Sequence, residues 1–139
     1  MGLILDTITY AHYIFEPYKL KEETRQFIRE QKELYITFPT VWEMSNHIVK
    51  GIYNIGTIDF DHFIKETNQG HNIKILPLSW KAFNWITATP IIEAHGKPHK
   101  DSFDRLIIAH AIVNNLPILS KDRSFRFYTP LGLNFIAVE

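Results

Sequence analysis

The sequence predicts an α/β fold with a short, mainly parallel central sheet. Short apolar runs alternate along the chain with segments of helical period, which is the pattern of strands joined by helical crossovers. Two of these runs end in or just before an acidic residue, as they do in Leu-Ile-Leu-Asp at residues 3–6. In parallel sheets, the carboxyl ends of the strands line the crevice in which ligands bind.

The first part of the chain contains two predicted strands and three predicted helices. The strands are residues 3–5 and 35–38, and the helices are residues 7–15, 20–32 and 40–50. The first helix stops before Pro17, because proline cannot continue a helix. The second is rich in charged residues with apolar ones on a single face, and Gly51 closes the third.

The second part of the chain contains three predicted helices and three predicted strands. Asp59 and Ser79 are suitable N-caps for two of these helices, and Gly70 ends the first of them. The helices cover residues 59–68, 80–86 and 102–114, and the strands cover residues 73–75, 117–120 and 134–138. The stretch 87–100 has two prolines and one glycine and is expected to be a loop.

Length and composition predict a single globular domain over residues 1–139, with 45% hydrophobic and 22% charged residues. The absence of cysteine excludes thiolate zinc sites, cysteine nucleophiles and disulfides. Fifteen basic residues balance fifteen acidic ones, which argues against a protein that coats DNA and less strongly against a nuclease. No signal-peptide pattern and no apolar run of about 18 residues is found, so we expect a cytoplasmic protein.

Three acidic residues occupy positions that also suit purely structural roles. Asp6 directly follows the first predicted strand and could cap the next helix. Glu43 lies three residues after Thr40, as in a capping box. Asp122 follows the strand 117–120 and could begin a turn.

Asp101 and Asp104 stand at the start of a helix that is apolar nearly all round and therefore expected to be buried. The helix dipole favours acids there. Clustered carboxylates nevertheless repel one another unless a cation lies between them. Arg105 could be that cation, and a metal ion is the alternative.

Taken together, five acids fall at strand ends or helix starts, on the edge where an α/β sheet places its site. Hard divalent cations prefer carboxylate and water oxygens, and such ions can activate water and stabilise the charge that develops on a phosphodiester. The Ser120 hydroxyl could orient a neighbouring carboxylate or water. The set is therefore consistent with phosphodiester hydrolysis.

Four motifs in a fixed order strengthen this interpretation. They are Leu-Ile-Leu-Asp-Thr at 3–7, Thr-Val-Trp-Glu-Met at 40–44, His-Lys-Asp-Ser-Phe-Asp-Arg at 99–105 and Ile-Leu-Ser-Lys-Asp at 118–122. With them, nearly the whole chain resembles the PIN-domain family, specifically the VapC-like toxins of type II toxin–antitoxin systems. The resemblance implies a three-layer α/β/α fold and endoribonuclease activity that depends on Mg²⁺ or Mn²⁺.

The resemblance also assigns roles to residues of this chain. The family's four acidic positions fall on Asp6, Glu43, Asp104 and Asp122, and Asp101 is an additional acid. Asp6, Asp104 and Asp122 would hold the metal, and Glu43 would complete its ligands or position the water. A homodimer is implied, as is a cognate antitoxin whose C-terminal segment covers the groove.

The chain departs from the family pattern at three positions. Ser102 replaces a common proline, His47 a common lysine and Ser120 a common threonine. None of these changes removes an acid. The seven histidines show no helical metal spacing with a third ligand nearby, so we expect them to be solvated or packed.

RNA contacts are predicted from residues beside the acidic motifs. Ser120, Arg105, Lys121 and Arg123 are the candidates for binding the substrate. Two alternatives to the toxin remain open from the sequence. One is a PIN-type nuclease of RNA processing or DNA cleavage that has no antitoxin. The other is a non-catalytic binding module in which the acids only cap helices.

Overall fold

A computed structural model describes residues 2–138, so Met1 and Glu139 of the predicted domain lie outside the described residues. The helices are α1 (Thr7–Phe15), α2 (Glu22–Arg29), α3 (Phe38–Val49), α4 (Phe60–Gly70), α5 (Trp80–Ala88) and α6 (Ser102–Val113). The strands are β1 (Gly2–Leu5), β2 (Glu33–Thr37), β3 (Ile73–Leu76), β4 (Glu93–Ala94), β5 (Lys97–Pro98), β6 (Ile118–Ser120) and β7 (Phe135–Ala137). Two 3₁₀ segments cover Pro17–Lys19 and Arg123–Leu131.

Five strands form one sheet in the order β3-β2-β1-β6-β7, and every neighbouring pair is parallel. The central strand β1 is fully buried, because its apolar residues face helices on both sides. Leu3 and Leu5 join one core with residues of α1, α2 and α3, whereas Ile4 joins a second core with residues of α6. Successive side chains of a strand point to opposite faces. The structure thus confirms the predicted three-layer α/β/α architecture.

The stretch 87–100 is not an unstructured loop, because β4 and β5 form a small antiparallel hairpin within it. The connecting residues, His95 and Gly96, have φ values of 54° and 78°. Positive φ at both central positions is typical of a two-residue hairpin turn, and glycine adopts it without steric cost. The hairpin fixes the direction in which the chain enters α6.

Two further segments differ from the sequence-based expectation. The charged helix predicted over 20–32 is shorter in the structure, where α2 spans Glu22–Arg29 with Lys21 as its N-cap and Glu30 as its C-cap. Residues 123–131 form a 3₁₀ helix that the sequence did not indicate, and Pro130 lies inside it. A 3₁₀ segment carries a weaker periodic signal than an α-helix, since it is short and its side chains lie in eclipsed rows. Within residues 2–138, no helix is long and apolar enough to cross a membrane.

Candidate active site

The acidic residues predicted from the sequence meet at the carboxyl ends of three adjacent strands. Asp6 follows β1 directly, Asp122 lies two residues after β6, and Glu43 lies on α3, which begins where β2 ends. Because β2, β1 and β6 are neighbours and parallel, these ends lie on one edge of the sheet. Asp101 and Asp104 reach the same cluster from the start of α6. The charge of Asp101 raises the pKa of Glu43, and the charge of Glu43 raises the pKa of Asp104.

Asp6 combines the capping role with a place in the cluster. Its Oδ1 accepts a hydrogen bond from the Thr9 backbone N–H at 2.9 Å, which caps α1. Its Oδ2 accepts one from the Ser120 hydroxyl of β6. Burial raises the pKa of Asp6, and the bonds from Ser120 and Thr9 act in the opposite direction. The Asp6 side chain can therefore cap α1 and still belong to the acidic cluster.

Glu43 does not form the capping box that its spacing from Thr40 would allow. The N-cap of α3 is Thr37, so Glu43 lies beyond the first turn of the helix. Its Oε1 instead accepts a hydrogen bond from the Thr7 hydroxyl at 2.5 Å, and the Thr7 and Thr40 hydroxyl oxygens are 3.0 Å apart. Burial raises the pKa of Glu43, and the neighbouring charges of Asp101 and Asp6 raise it further.

Asp101 and Asp122 both cap the segments that follow them. Asp101 Oδ1 accepts hydrogen bonds from the backbone N–H groups of Phe103 and Asp104, each at 3.0 Å. Asp122 Oδ1 accepts one from Ser124 N–H at 2.9 Å, and its own N–H donates to Ser120 Oγ at 3.0 Å. Asp101 is exposed, whereas Asp122 is partly buried. Each of the two keeps one carboxylate oxygen that accepts no hydrogen bond from residues 2–138.

Asp104 is the least satisfied carboxylate of the cluster. Its side chain is 22% exposed and accepts no hydrogen bond from the described part of the chain; the nearest basic side chain there is His99, with Nε2 3.4 Å from Asp104 Oδ2. Burial and the negative charges of Asp101, Asp122, Glu43 and Asp6 raise its pKa to about 8. A neighbouring cation would reverse this shift. The set of unpaired carboxylate oxygens fits a hard divalent ion, which prefers oxygen ligands.

Arg105 is not the cation that balances these acids. Its Nη2 donates to the Thr89 carbonyl at 2.9 Å, and no ion pair joins it to an acid within residues 2–138. The other two basic candidates are placed differently. Lys121 Nζ lies 3.4 Å from the carbonyl oxygen of Lys19, and Arg123 is exposed. Arg123 is thus the most accessible of the three for an RNA phosphate, a role that stays a prediction.

His99 is a member of the cluster that sequence reasoning did not select. Its Nε2 lies 3.4 Å from Asp104 Oδ2, and its Nδ1 lies 2.6 Å from the Tyr128 hydroxyl. One ligand atom each from His99, Asp104 and Asp122 lie within 4.8 Å of one another. The sequence signal was its place at the head of the motif 99–105. It was missed because the hairpin, rather than helical spacing, brings it to Asp104.

Comparison with known proteins identifies the family of the chain. A family model for the PIN domain matches residues 3–128. The chain belongs to the PIN-domain family. This membership accounts for the central parallel sheet, and it confirms the family expected from the sequence.

Solved structures with the same fold are distant in sequence. The chain is similar to VapBC2 from Rickettsia felis bound to a promoter DNA fragment, with 14% identity, full coverage of both chains (100% and 100%) and a TM-score of 0.66. It is also similar to DNA-bound VapBC from Salmonella typhimurium, with 16% identity, coverage of 99% and 98%, and a TM-score of 0.64. For VapBC-1 from nontypeable Haemophilus influenzae, the identity is 18%, the coverage of the two chains is 99% and 98%, and the TM-score is 0.53. A comparison with curated proteins found no significant match.

Proposed function

We propose that this PIN-domain protein is a divalent-metal-dependent endoribonuclease and the toxin of a toxin–antitoxin pair. The observation that carries the proposal is Asp104, a largely buried acid whose pKa is raised to about 8 by burial and four other carboxylates. Holding such a cluster together without a cation costs folding free energy. Perturbed groups of this kind concentrate at functional sites.

Asp6, Asp104 and Asp122 would hold the ion, Mg²⁺ or Mn²⁺, with Glu43 beside them. A bound divalent cation supplies charge stabilisation for a phosphodiester under attack and lowers the pKa of water. Thr7 binds Glu43 Oε1 and leaves Oε2 free to accept a hydrogen bond from the attacking water. Ser120 and the Thr9 N–H hold the Asp6 carboxylate in one orientation, because each binds one of its oxygens. Asp101, exposed and occupied by capping, would stand outside this set.

RNA is the substrate we favour, from the resemblance to VapC-like toxins. DNA is the competing substrate. The structures of VapBC2 and of the Salmonella VapBC complex each contain DNA bound to the complex. Equal numbers of basic and acidic residues make this chain a weak general binder of polyanions. We therefore expect the metal site and a few cations such as Arg123 to provide most of the phosphate binding.

A protein partner is supported by two observations. Similar structures are VapBC complexes, in which a PIN fold like this one is found. An apolar groove of about 470 Å³ also lies beside the acidic cluster, where Val41 and Trp42 precede Glu43 and Phe103 precedes Asp104. Exposed apolar surfaces of this kind mark contacts with other proteins. The resemblance to VapC-like toxins implies both a homodimer and an antitoxin that covers the active-site groove; the antitoxin would then cover the acidic edge, and the second copy of the chain would bury the apolar groove.

The activity is tested with tag-free protein, labelled structured RNA and single- and double-stranded DNA, in Mg²⁺ or Mn²⁺. Wild type is expected to cleave RNA, and Asp6→Asn and Asp104→Asn to lose at least about 100-fold in rate. Asp61→Asn is the matched control, because Asp61 is 73% exposed and its one ion pair within residues 2–138 is with Lys65 on α4. Cleavage that survives chelation, or equal activity in all variants, would refute a metal-dependent nuclease.

The toxin assignment is separable from the nuclease assignment. Growth arrest on expression that is relieved by the product of an adjacent small reading frame would support it. RNA cleavage without such a partner would favour a PIN nuclease of RNA processing, and cleavage of DNA alone would favour a DNA nuclease. A folded protein that shows neither cleavage nor Mn²⁺-dependent stabilisation through Asp104 would favour a binding module.

A further inference from the structure

His99 lies where a third ligand to the proposed cation would be expected. One ring nitrogen of His99, one Asp104 oxygen and one Asp122 oxygen all lie within 4.8 Å of one another, and Nε2 is 3.4 Å from Asp104 Oδ2. Two atoms bound to one ion at about 2.1 Å are separated by roughly 4.2 Å when trans and roughly 3.0 Å when cis, so modest side-chain movements would bring all three onto one ion. The three side chains come from the hairpin, α6 and the end of β6, so the sheet edge holds them from three directions.

The contact between His99 and Asp104 is a poor hydrogen bond. The Nε2–Oδ2 distance is 3.4 Å, which exceeds the 2.7–3.2 Å range of good N–H···O bonds. The His99 side chain is only 11% exposed, so water cannot freely satisfy Nε2 either. A cation between the imidazole and the two carboxylates would satisfy all three groups at once.

The ring of His99 is held in place from its other side. Nδ1 lies 2.6 Å from the hydroxyl of Tyr128, a fully buried residue, and the two rings meet edge to face at 5.3 Å. The His99 backbone N–H donates to Ile92 O at 2.8 Å. When Nδ1 carries the proton and donates it to Tyr128, Nε2 presents a lone pair to the carboxylates. Histidines that bind metals are commonly oriented by such a partner on the second nitrogen.

We propose that His99 binds the cation through a ring nitrogen, beside the carboxylate oxygens of Asp104 and Asp122. This nitrogen ligand makes the site favour Mn²⁺ over Mg²⁺. The inference rests on the metal site of the proposed function and adds a ligand to it. Mg²⁺ is bound chiefly by oxygen and keeps several waters, whereas imidazole suits later first-row metals better. Loss of the imidazole should therefore weaken Mn²⁺ binding more than Mg²⁺ binding.

The test is electron spin-echo envelope modulation of tag-free protein loaded with Mn²⁺, which detects ¹⁴N bound to the ion without any need for activity. Wild type should show ¹⁴N modulation. In protein labelled with ¹⁵N-histidine, the ¹⁴N modulation should be replaced by a ¹⁵N signal. His99→Ala and His99→Gln should lose it. Their Mn²⁺ affinity, measured by calorimetry, should fall about tenfold or more, and their Mg²⁺ affinity less than about threefold.

Two other histidines provide matched controls. His47 lies one helical turn after Glu43 and is close enough to lower the pKa of that acid, so it is the rival nitrogen donor. His95 is exposed in the same hairpin as His99 and has a φ of 54°, which asparagine tolerates. His47→Gln and His95→Asn should both keep the modulation.

The outcomes separate this proposal from the proposed function. Mn²⁺ that binds through Asp104 without ¹⁴N modulation would overturn the histidine ligand and leave the carboxylate site standing. Modulation lost only in His47→Gln would assign the nitrogen to that residue and also overturn the proposal. Absence of Mn²⁺ binding in wild type would overturn both. If the variants at residue 99 fold poorly, ¹⁵N-histidine labelling of the wild type and of His47→Gln keeps the test decisive: the label must remove the ¹⁴N modulation in both, because among the described residues His99 is the histidine grouped with Asp104 and Asp122.

Discussion

Thr7 donates its hydroxyl hydrogen to Glu43 at 2.5 Å, and the two residues are 36 positions apart in the sequence. Thr7 has a single hydroxyl hydrogen, so the bond between Thr7 and Thr40 must take its hydrogen from Thr40. The chain Thr40–Thr7–Glu43 thus joins the start of α1 to the first turns of α3. It aims the Glu43 carboxylate at the acidic cluster instead of at its own helix end.

Replacing Thr7 with Val should impair Glu43 as a positioning group. The change leaves buried polar atoms of Thr40 and Glu43 without a partner, so the free energy of unfolding should fall by about 1–2 kcal/mol. RNA cleavage should lose about tenfold in kcat with little change in KM, because the role proposed for Glu43 is to position the attacking water rather than to bind the phosphate. Thr7→Ser should restore both quantities. A Val variant with wild-type kcat would show that this bond does not serve the reaction.

Replacing Asp104 with Asn should stabilise the metal-free protein at alkaline pH. The pKa of Asp104 is about 8 in the fold against 3.8 ordinarily, so folding favours its protonated form. Between about pH 4 and pH 8, the wild type should therefore lose stability as pH rises. Asn cannot ionise, and we expect it to gain about 2 kcal/mol at pH 9 in chelator. Urea unfolding at pH 5, 7 and 9 measures this, and a variant less stable than wild type at pH 9 would contradict it.

Binding of Mg²⁺ should release protons in a defined pH range. At pH 7 most Asp104 side chains are protonated, because their pKa is about 8, and a cation must displace that proton. Affinity should therefore rise from pH 6 to pH 8 and level off above it. Calorimetry in buffers of different ionisation enthalpy should give close to one proton released at pH 7 and far fewer at pH 9. A pH-independent affinity would remove Asp104 from the ligand set.

Replacing Trp42 with Ser should weaken self-association. Trp42 is 58% exposed and lines the apolar groove with Phe38 and Phe103. Burying such an aromatic side chain against a second copy would stabilise a dimer by a few kcal/mol. Light scattering coupled to size exclusion should show a dimer for wild type and a shift to monomer for Trp42→Ser. Tyr18→Ser, at a residue 74% exposed in the 3₁₀ segment before α2, is the control and should stay dimeric.

Sequence patterns predicted most of the fold, because helix and strand periods are local properties. The strands around Leu3–Leu5 and Ile118–Ser120 were recognisable from apolar runs, and α6 from its continuous apolar face. The hairpin at Glu93–Pro98 was missed, since each strand has two residues and its turn depends on His95 and Gly96 taking positive φ. The structural alternative for Glu43, a capping box with Thr40, is excluded because α3 begins earlier, at Phe38.

The sequence alone determined the family resemblance and the set of acids, because motif order and residue type survive without coordinates. Only the tertiary structure decided what each acid contacts. Thr7 and Ser120 bind Glu43 and Asp6 across long stretches of chain, and Arg105 turns to the Thr89 carbonyl instead of balancing Asp104. His99 enters the cluster because the hairpin and Tyr128 hold it there. Such contacts depend on where the sheet brings distant segments together, which residue spacing along the chain does not encode.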